Sequence, residues 1–315
     1  MRTTRSLTAL APVGAVIWAA LALPACTQPA DAQNQTAAPA ARTAEGQPYQ
    51  LKGTQVWTVP DPASGRDYQV FVSLPASYDA DPDRRYPVLY VTDADYAFPL
   101  IRSITRRINL DGPVTEDFIL VGLSYAVGDD GGHSRRRDYT PTRNGSSGAP
   151  PGTIHGQGPA YQTYLRDQVL PFIASRFRAD PARRVFMGHS YGGLLGAQIM
   201  FTEPTLFHDY ILGSPSLWFD KRHMMAVEAQ YAEAHRDLPA NVFMYIGEFE
   251  AVRPGDARYA SRTDMVADMR TFEHRLKSRN YPDLSVASDV VVEENHLTVF
   301  PSGFTRGLIA VLPAR

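Results

Sequence analysis

The 315-residue sequence predicts an α/β fold: a mostly parallel central sheet with an antiparallel N-terminal hairpin and helices on both faces. Three observations predict it. Short runs rich in strand-forming residues alternate with longer segments of helical periodicity, which is typical of parallel β-α units. Two of these runs, residues 87–92 and 118–124, are apolar at nearly every position, as in strands buried on both faces. Near the start, two strand-like runs are joined by Pro-Asp-Pro-Ala-Ser-Gly, which favours a hairpin.

The chain begins with a segment that predicts export. Two arginines precede an apolar stretch at residues 7–23 and small residues follow, which is the layout of a secretory signal peptide. Cleavage fits either before Cys26, in a Leu-Pro-Ala-Cys that resembles a bacterial lipobox, or after Ala32. Cys26 is the only cysteine and has no disulfide partner within the chain, which favours the lipidated form. We therefore expect an exported, periplasmic protein that carries a membrane lipid anchor if the first site is used.

Composition separates the leader from the folded part. The segment after the leader is rich in Ala, Gln, Pro and Thr and lacks periodicity, which predicts a disordered tether. The remaining length suits one domain that buries a sufficient core without disulfides. The predicted organisation is a signal peptide at 1–26, a tether at 27–50 and a single α/β domain at 51–315.

Charge and spacing exclude some partners. The chain has 31 basic and 33 acidic residues, a net charge of −2, and no basic patch large enough for nucleic acid. Glu293, Glu294 and His296 are too close along the chain to form a recognised zinc motif. We therefore expect a small-molecule partner and neither a metal nor a cofactor.

The elements of the domain follow from periodicity and breakers, in chain order. Pro171 is expected to bend the helix predicted at 160–177. Residues 125–158 leave the carboxyl end of a strand and are expected to form a long irregular stretch beside Ser190. The predicted strands are 54–59, 67–74, 87–92, 118–124, the run that begins at 184, 209–213, 241–246 and 285–292. The predicted helices are 98–108, 160–177, the one that follows residue 193, 222–235, 259–279 and 298–312.

The organising motif lies at residues 184–194. An apolar strand-like run leads into Gly188-His-Ser190-Tyr-Gly192, and an Ala/Leu-rich helix follows. This strand-to-helix setting is that of a nucleophile elbow, in which a strained serine is exposed at the carboxyl end of a sheet. Side chains at the two glycine positions would collide with the turn. The sequence predicts Ser190 as a catalytic nucleophile.

Two further groups complete a candidate triad. Only one of the eight histidines, His296, follows the last predicted strand, so it is the expected base. Glu248 and Glu250 follow the strand before it, and the usual Gly-x-x-acid arrangement favours Glu250 as the acid. Asp220, after another strand, is a weaker alternative. The order serine, acid, histidine is that of α/β-hydrolases, and parallel strands bring their carboxyl ends to one edge.

Other residues are expected to complete the site. The backbone N–H groups of Tyr191, at a helix N-terminus, and Asp95, in the loop after the third strand, are the expected oxyanion donors. Trp218 follows the sixth strand and is a candidate pocket wall, with core packing as the alternative. Arg137, in the run Arg135-Arg136-Arg137, is a candidate for binding an anionic or catecholate-like substrate. The alternative is a solvated loop in which Arg137 pairs with Asp138.

With these residues identified, the chain resembles the bacterial putative-esterase family of α/β-hydrolases, which includes siderophore (enterobactin-type) esterases, esterase-D-like enzymes and mycolyltransferases. The resemblance implies hydrolysis of carboxylic esters, with siderophore trilactones among the candidate substrates. Two alternatives stay open: acyl transfer to an alcohol at the same site, and a non-catalytic binding protein on the same scaffold. The matching segments are Leu89–Tyr96, Arg137–Pro141, Gly188–Gly193, Ser214–Trp218 and Asn295–His296.

Overall fold

The computed structural model describes residues 46, 48–145, 149–259 and 261–314. A compact unit spans Gln50–Arg315. The predicted signal peptide, with Cys26, and most of the predicted tether lie outside the described residues. Within the described part of the chain, no helix is both long enough and apolar enough to span a membrane.

The core of the unit is one eight-stranded sheet with the order β1-β2-β4-β3-β5-β6-β7-β8. The first hairpin is antiparallel, β2 pairs antiparallel with β4, and every other pairing is parallel. The predicted architecture is therefore confirmed. The strands are β1 Thr54–Asp61, β2 Arg66–Ser73, β3 Tyr86–Thr92, β4 Ile119–Ala126, β5 Ala179–His189, β6 Asp209–Gly213, β7 Ala240–Gly247 and β8 Leu284–Val291.

Burial along each strand follows its place in the sheet. All seven residues of β3 are buried, because it lies between two other strands and under helices on both faces. The edge strands β1 and β8 instead alternate between more and less exposed positions. The continuous apolar runs thus mark the central strands.

Helices cover both faces of the sheet, and each face has its own apolar core. One core joins the sheet to α1 and α8. The other joins it to the helices from α3 to α7. The helices are α1 Ala94–Thr105, α2 Gly131–Asp138, α3 Gly158–Tyr164, α4 Leu170–Arg176, α5 Tyr191–Thr202, α6 Phe219–Ala234, α7 Met265–Ser278 and α8 Val299–Val311.

Three predicted segments differ from the structure. The stretch 125–158, predicted to be irregular, contains α2, which Asp130 caps by accepting from the His133 N–H at 3.1 Å. The single helix predicted at 160–177 is divided into α3 and α4 by a π-helical turn at Leu165–Val169, ahead of Pro171. The helix predicted at 259–279 begins only at Met265, after its cap.

Helix α6 opens with a short left-handed segment. Asp220, Lys221 and Arg222 have φ of 45°, 55° and 64°, although none of them is glycine. Side-chain bonds hold both ends: Asp220 accepts from Thr142 Oγ1 at 2.6 Å, and Arg222 donates to Asp268 Oδ1 at 2.7 Å. Each such residue costs on the order of 1 kcal/mol, so the surrounding contacts maintain a strained turn that begins two residues after Trp218.

Glycine at the middle position of this turn is expected to stabilise the fold. Lys221 is exposed, so Lys221→Gly removes the left-handed strain and should raise the free energy of unfolding by about 1 kcal/mol. Urea denaturation measures the change. The matched control is Ala226→Gly, at an exposed position further along α6, which should lower stability by about 1 kcal/mol. Loss of stability in both variants would show that the turn is unstrained.

Candidate active site

The site lies at the carboxyl ends of the parallel strands. His189 pairs with Gly213 in the neighbouring strand, and Gly213 pairs with Tyr245 in the next. The ladder continues one step further, because the Ser190 N–H donates to the Gly213 carbonyl at 2.8 Å. The residues that follow these strands therefore meet at one edge of the sheet.

Ser190 lies in the turn between β5 and α5. Its backbone has φ 60° and ψ −115°, a region that costs a non-glycine residue about 1–3 kcal/mol. The turn is too tight for side chains on either flank. A Cβ on Gly188 would strike the Gly192 backbone, and one on Gly192 would strike the Thr92 hydroxyl. Ser190 is thus held at the N-terminus of α5, where backbone N–H groups lack intrahelical acceptors.

Glu250 and His296 are in direct contact. His296 Nδ1 lies 2.6 Å from Glu250 Oε2, and Glu250 is only 3% exposed. The other carboxylate oxygen accepts from Ser214 Oγ at 2.6 Å and from the Gly247 N–H at 2.9 Å. These bonds fix the carboxylate, which in turn orients the imidazole so that Nε2 is its free ring nitrogen.

The two alternative acids are occupied elsewhere. Glu248 accepts from the Tyr259 hydroxyl at 2.8 Å and from the Glu293 N–H at 3.1 Å, and these bonds lower the pKa of its carboxyl. Asp220 accepts from Thr142 and Asn144, and these bonds lower the pKa of its carboxyl. Neither carboxylate is bonded to His296 in the structure.

Ser190, Glu250 and His296 line one pocket with a volume of about 470 Å³. The Ser190 hydroxyl lies 3.4 Å from that of Ser216, and about a third of the His296 side chain is exposed. Among the described residues, no cluster of histidine, cysteine and acidic side chains could hold a metal ion. The remaining lining residues are Ser216, Trp218, Phe249, Arg258, Ser261, Met265, Asn295 and Leu297.

The other predicted site residues lie in different settings. Trp218 lines the pocket, half-buried, with its ring centroid 6.1 Å from that of Tyr191. Asp95 lies in the first turn of α1 with an exposed side chain that accepts from Ser124 Oγ at 2.7 Å. The oxyanion role of the Asp95 and Tyr191 N–H groups stays a prediction.

Arg137 is not at the pocket, and the prediction that it binds substrate is wrong. Its side chain is 3% exposed and forms ion pairs with Asp138 at 2.7 Å and with Asp129 at 2.6 Å. Asp138 also accepts from the Tyr68 hydroxyl of β2 at 3.0 Å. The Arg137 donors are bonded to these two carboxylates, and Asp138 attaches α2 to the sheet. The predicted ion pair with Asp138 is therefore confirmed, but Arg137 lies buried on a helix and not in a solvated loop.

Comparison with known proteins agrees with this geometry. A family model described as putative esterase matches residues 62–296, well over half of the chain. The chain belongs to the putative-esterase family. This esterase is 27% identical over 272 residues to the ferri-bacillibactin esterase BesA of Bacillus subtilis, covering 82% of this chain and 90% of the relative. It is 26% identical over 225 residues to the siderophore triacetylfusarinine C esterase of Aspergillus fumigatus, covering 67% and 75%.

Solved structures support the same assignment. The crystal structure of the BES protein from Bacillus cereus superposes with a TM-score of 0.72 at 25% identity, over 85% of this esterase and 99% of that chain. The esterase therefore has the α/β-hydrolase fold and is a carboxylic ester hydrolase.

Several residues of the esterase's pocket were missed by the sequence analysis. Ser216 lies two residues before Trp218, in a segment already singled out, and its proximity to Ser190 follows only from the register of β5 and β6. Arg258 comes just before the helix predicted at 259–279, and nothing in its local pattern placed it at the pocket. The residue type was visible in the sequence, but the path of the loop was not.

His189 supports the loop that carries His296. Its ring is buried, and its Nε2 lies 2.8 Å from the main-chain carbonyl of His296. Burial, and secondarily the charge of His296, lower the pKa of His189 from 6.5 to about 3. At neutral pH the ring is therefore uncharged and Nε2–H donates to that carbonyl.

The buried His189 predicts acid-sensitive stability of this esterase. The unfolded chain binds a proton near pH 6.5 and the folded chain only near 3, so stability is full above 6.5 and falls as the pH drops towards 3. At pH 5 the loss is about 2 kcal/mol. Glutamine in place of His189 retains a hydrogen-bond donor but does not titrate, so His189→Gln should remove this part of the stability loss at pH 5. The measurement is urea unfolding of wild type and His189→Gln at pH 7 and pH 5; equal losses in both would contradict the prediction.

Proposed function

We propose that the ester bond is cleaved through an acyl-enzyme formed on Ser190, with His296 as the base and Glu250 as the acid of the triad. The observation that carries the proposal is the 2.6 Å contact between His296 Nδ1 and the buried Glu250 carboxylate, in a pocket shared with Ser190. This contact leaves Nε2 of the imidazole to act on the serine proton.

The steps follow from this arrangement. Ser190 Oγ attacks the ester carbonyl carbon while His296 Nε2 accepts its proton, and the Tyr191 and Asp95 N–H groups hold the oxyanion. The carbon–oxygen bond to the leaving alcohol then breaks, and His296 returns the proton to that alcohol. Water repeats the sequence on the acyl-enzyme and releases the acid. Glu250 stabilises the imidazolium formed in each half.

Hydrolysis is favoured over acyl transfer by the accessibility of the site. About a third of the His296 side chain is exposed, so water reaches the base without a preceding conformational change. An acyltransferase must exclude water while the acyl-enzyme waits for an acceptor alcohol. Turnover in the presence of added alcohols, followed by product analysis, separates the two activities.

The proposed substrate is a siderophore ester. The pocket combines apolar walls, including Trp218 and Phe249, with the guanidinium of Arg258, which lies 5.2 Å from the Phe249 ring centroid and forms an ion pair with Asp256 at 2.7 Å. Such a pocket suits an aromatic or amide-rich acyl group, as in siderophore esters. The relatives named as siderophore esterases support this choice.

A panel of esters tests this proposal. Ferric and iron-free catecholate trilactones, a hydroxamate siderophore ester and 4-nitrophenyl acetate would be compared by kcat/KM, with Ser190→Ala as the blank. If the proposal is correct, kcat/KM for at least one siderophore ester will exceed kcat/KM for 4-nitrophenyl acetate. A preference for 4-nitrophenyl acetate over every siderophore would overturn the substrate while leaving the esterase activity intact.

We also propose that the protein is exported to the periplasm and lipidated at Cys26. The lone cysteine at the edge of the apolar leader supports this proposal. Mass spectrometry of the purified full chain would show a diacylglyceryl modification that is lost in Cys26→Ala. A soluble product that begins at Gln33 would instead indicate cleavage after Ala32.

A further inference from the structure

A partly buried ion pair lies beside the nucleophile and is not used by the triad. Its acid, Asp93, is fully buried with φ 57° and occupies the N-cap position of α1 without a side-chain capping bond. Arg135 of α2 contacts both of its carboxylate oxygens, through Nε at 3.0 Å and Nη2 at 3.2 Å. The Tyr125 hydroxyl adds a third bond to the carboxylate at 2.8 Å. Asp93 therefore has a fixed position in the loop that leads to Asp95.

The same guanidinium also contacts the nucleophile elbow. Arg135 Nη2 donates to the His189 carbonyl at 3.4 Å, the peptide that directly precedes Ser190. The central guanidinium carbon of Arg135, Cζ, lies 5.5 Å from the centroid of the Tyr191 ring. The two segments already pack closely, since a Cβ on Gly192 would lie 3.5 Å from Asp93 Oδ2. One side chain thus bonds to both segments that carry the expected oxyanion donors.

We propose that Arg135 is a positioning residue that sets the separation of the two oxyanion N–H groups by tying the loop at Asp93 to the elbow at Ser190. This inference rests on the proposed serine mechanism. It concerns geometry, because the oxyanion donors stabilise the transition state only when both lie within hydrogen-bond distance of the developing charge.

The bond pattern requires arginine. Two parallel bonds to a carboxylate and a third to a carbonyl need the planar fork of a guanidinium, which an ammonium group cannot reproduce. Burial lowers the pKa of Arg135, but the Asp93 carboxylate and its bonds raise it more, so the side chain stays charged. About a quarter of the Arg135 side chain remains exposed, so the competing role to be tested is direct binding of a substrate anion.

The test compares Arg135→Lys with wild type on a neutral ester, 4-nitrophenyl acetate, and an anionic one, mono-4-nitrophenyl succinate. Positioning predicts that kcat falls on the order of 10- to 100-fold for both esters while KM changes by less than about twofold. The inhibition constant of a trifluoromethyl ketone, which forms a tetrahedral oxyanion on the serine, should rise by the same factor as kcat/KM falls. Arg136→Lys, on the same helix and bonded to the Gly132 carbonyl at 3.0 Å, is the matched control.

Two outcomes would overturn the inference. Unchanged turnover of the neutral ester with a raised KM for the anionic one would make Arg135 a substrate ligand. A fall in kcat without weaker ketone binding would make its role purely structural. All rates are normalised to the fraction of folded protein. If Arg135→Lys does not fold, the double variant Asp93→Asn/Arg135→Gln removes both buried charges and should show the same kcat loss.

The proposed function has a separate readout in the same experiment. Ser190→Ala is measured beside the Arg135 variants. Activity that survives in Ser190→Ala refutes the serine mechanism. Loss of activity in Ser190→Ala, together with wild-type kcat and ketone binding in Arg135→Lys, refutes the positioning role alone.

Discussion

Replacing Ser190 with alanine is expected to lower kcat for ester hydrolysis on the order of 10⁶-fold, as loss of the nucleophile does in triad hydrolases. The alanine keeps the backbone of the turn but cannot form an acyl-enzyme. The pocket and the expected oxyanion donors remain, so KM should change little and a small rate above the uncatalysed reaction should persist. Hydrolysis of 4-nitrophenyl acetate and covalent labelling by a fluorophosphonate measure the two parts of this expectation.

Ser216 provides the matched control. Its hydroxyl lies 3.4 Å from Ser190 Oγ, and it lines the same pocket. Ser216→Ala loses at most one neutral hydrogen bond, worth about 0.5–1.5 kcal/mol, so activity should fall by no more than about tenfold and labelling should persist. Labelling that survives in Ser190→Ala but disappears in Ser216→Ala would show that Ser216, and not Ser190, is the nucleophile.

The nucleophile elbow could be predicted because its pattern is local: two glycines flank the serine within five residues, between a strand and a helix. A Cβ at 188 would strike the Gly192 backbone within the turn, whereas a Cβ at 192 would strike the Thr92 hydroxyl of β3. The position of Glu250 and His296 required one more assumption, that parallel strands end at one edge. The register of β5, β6, β7 and β8 satisfies it.

The role of the arginine run could not be predicted, for an equally physical reason. Helix α2 has no apolar stripe, and its three buried residues are Ser134, Arg137 and Asp138, so no hydrophobic pattern indicates which face points inward. Ion pairs determine which face of α2 points inward. Arg137 is directed to Asp129 and Asp138, while Arg135 reaches Asp93, a residue 42 positions away. Sequence alone specifies the charges but not their long-range partners.

The left-handed turn at the start of α6 was missed for a similar reason. Left-handed backbone is expected at glycine or asparagine, and the sequence there reads Asp-Lys-Arg. Contacts from distant segments maintain it: Thr142 and Asn144 bond to Asp220, and Asp268 bonds to Arg222. Since Trp218 lies two residues before the turn and lines the pocket, the shape of the pocket depends on tertiary contacts that no local pattern encodes.

Replacing Glu250 with glutamine is the second prediction with a large expected effect: kcat should fall on the order of 10⁴-fold. Glutamine is close in shape and can still accept from Ser214 and the Gly247 N–H through its carbonyl. Its amide then presents a donor to His296 Nδ1, where the carboxylate presented an acceptor. The imidazole must shift to the other tautomer, which places a proton on Nε2 and leaves no base for Ser190. Steady-state kinetics of Glu250→Gln on 4-nitrophenyl acetate measure the fall.

Glu248→Gln is the control that distinguishes the two neighbouring acids. The Glu248 carboxylate lies beside the Tyr259 hydroxyl and the Glu293 N–H, away from the imidazole, so its loss should cost less than about tenfold in kcat. A large loss in Glu248→Gln with near wild-type activity in Glu250→Gln would reverse the assignment. Equal activity of Glu250→Gln and wild type would mean that His296 works without a carboxylate partner, and that the 2.6 Å contact serves only to hold the loop. The pair of variants therefore separates a triad from a serine–histidine dyad on the same scaffold.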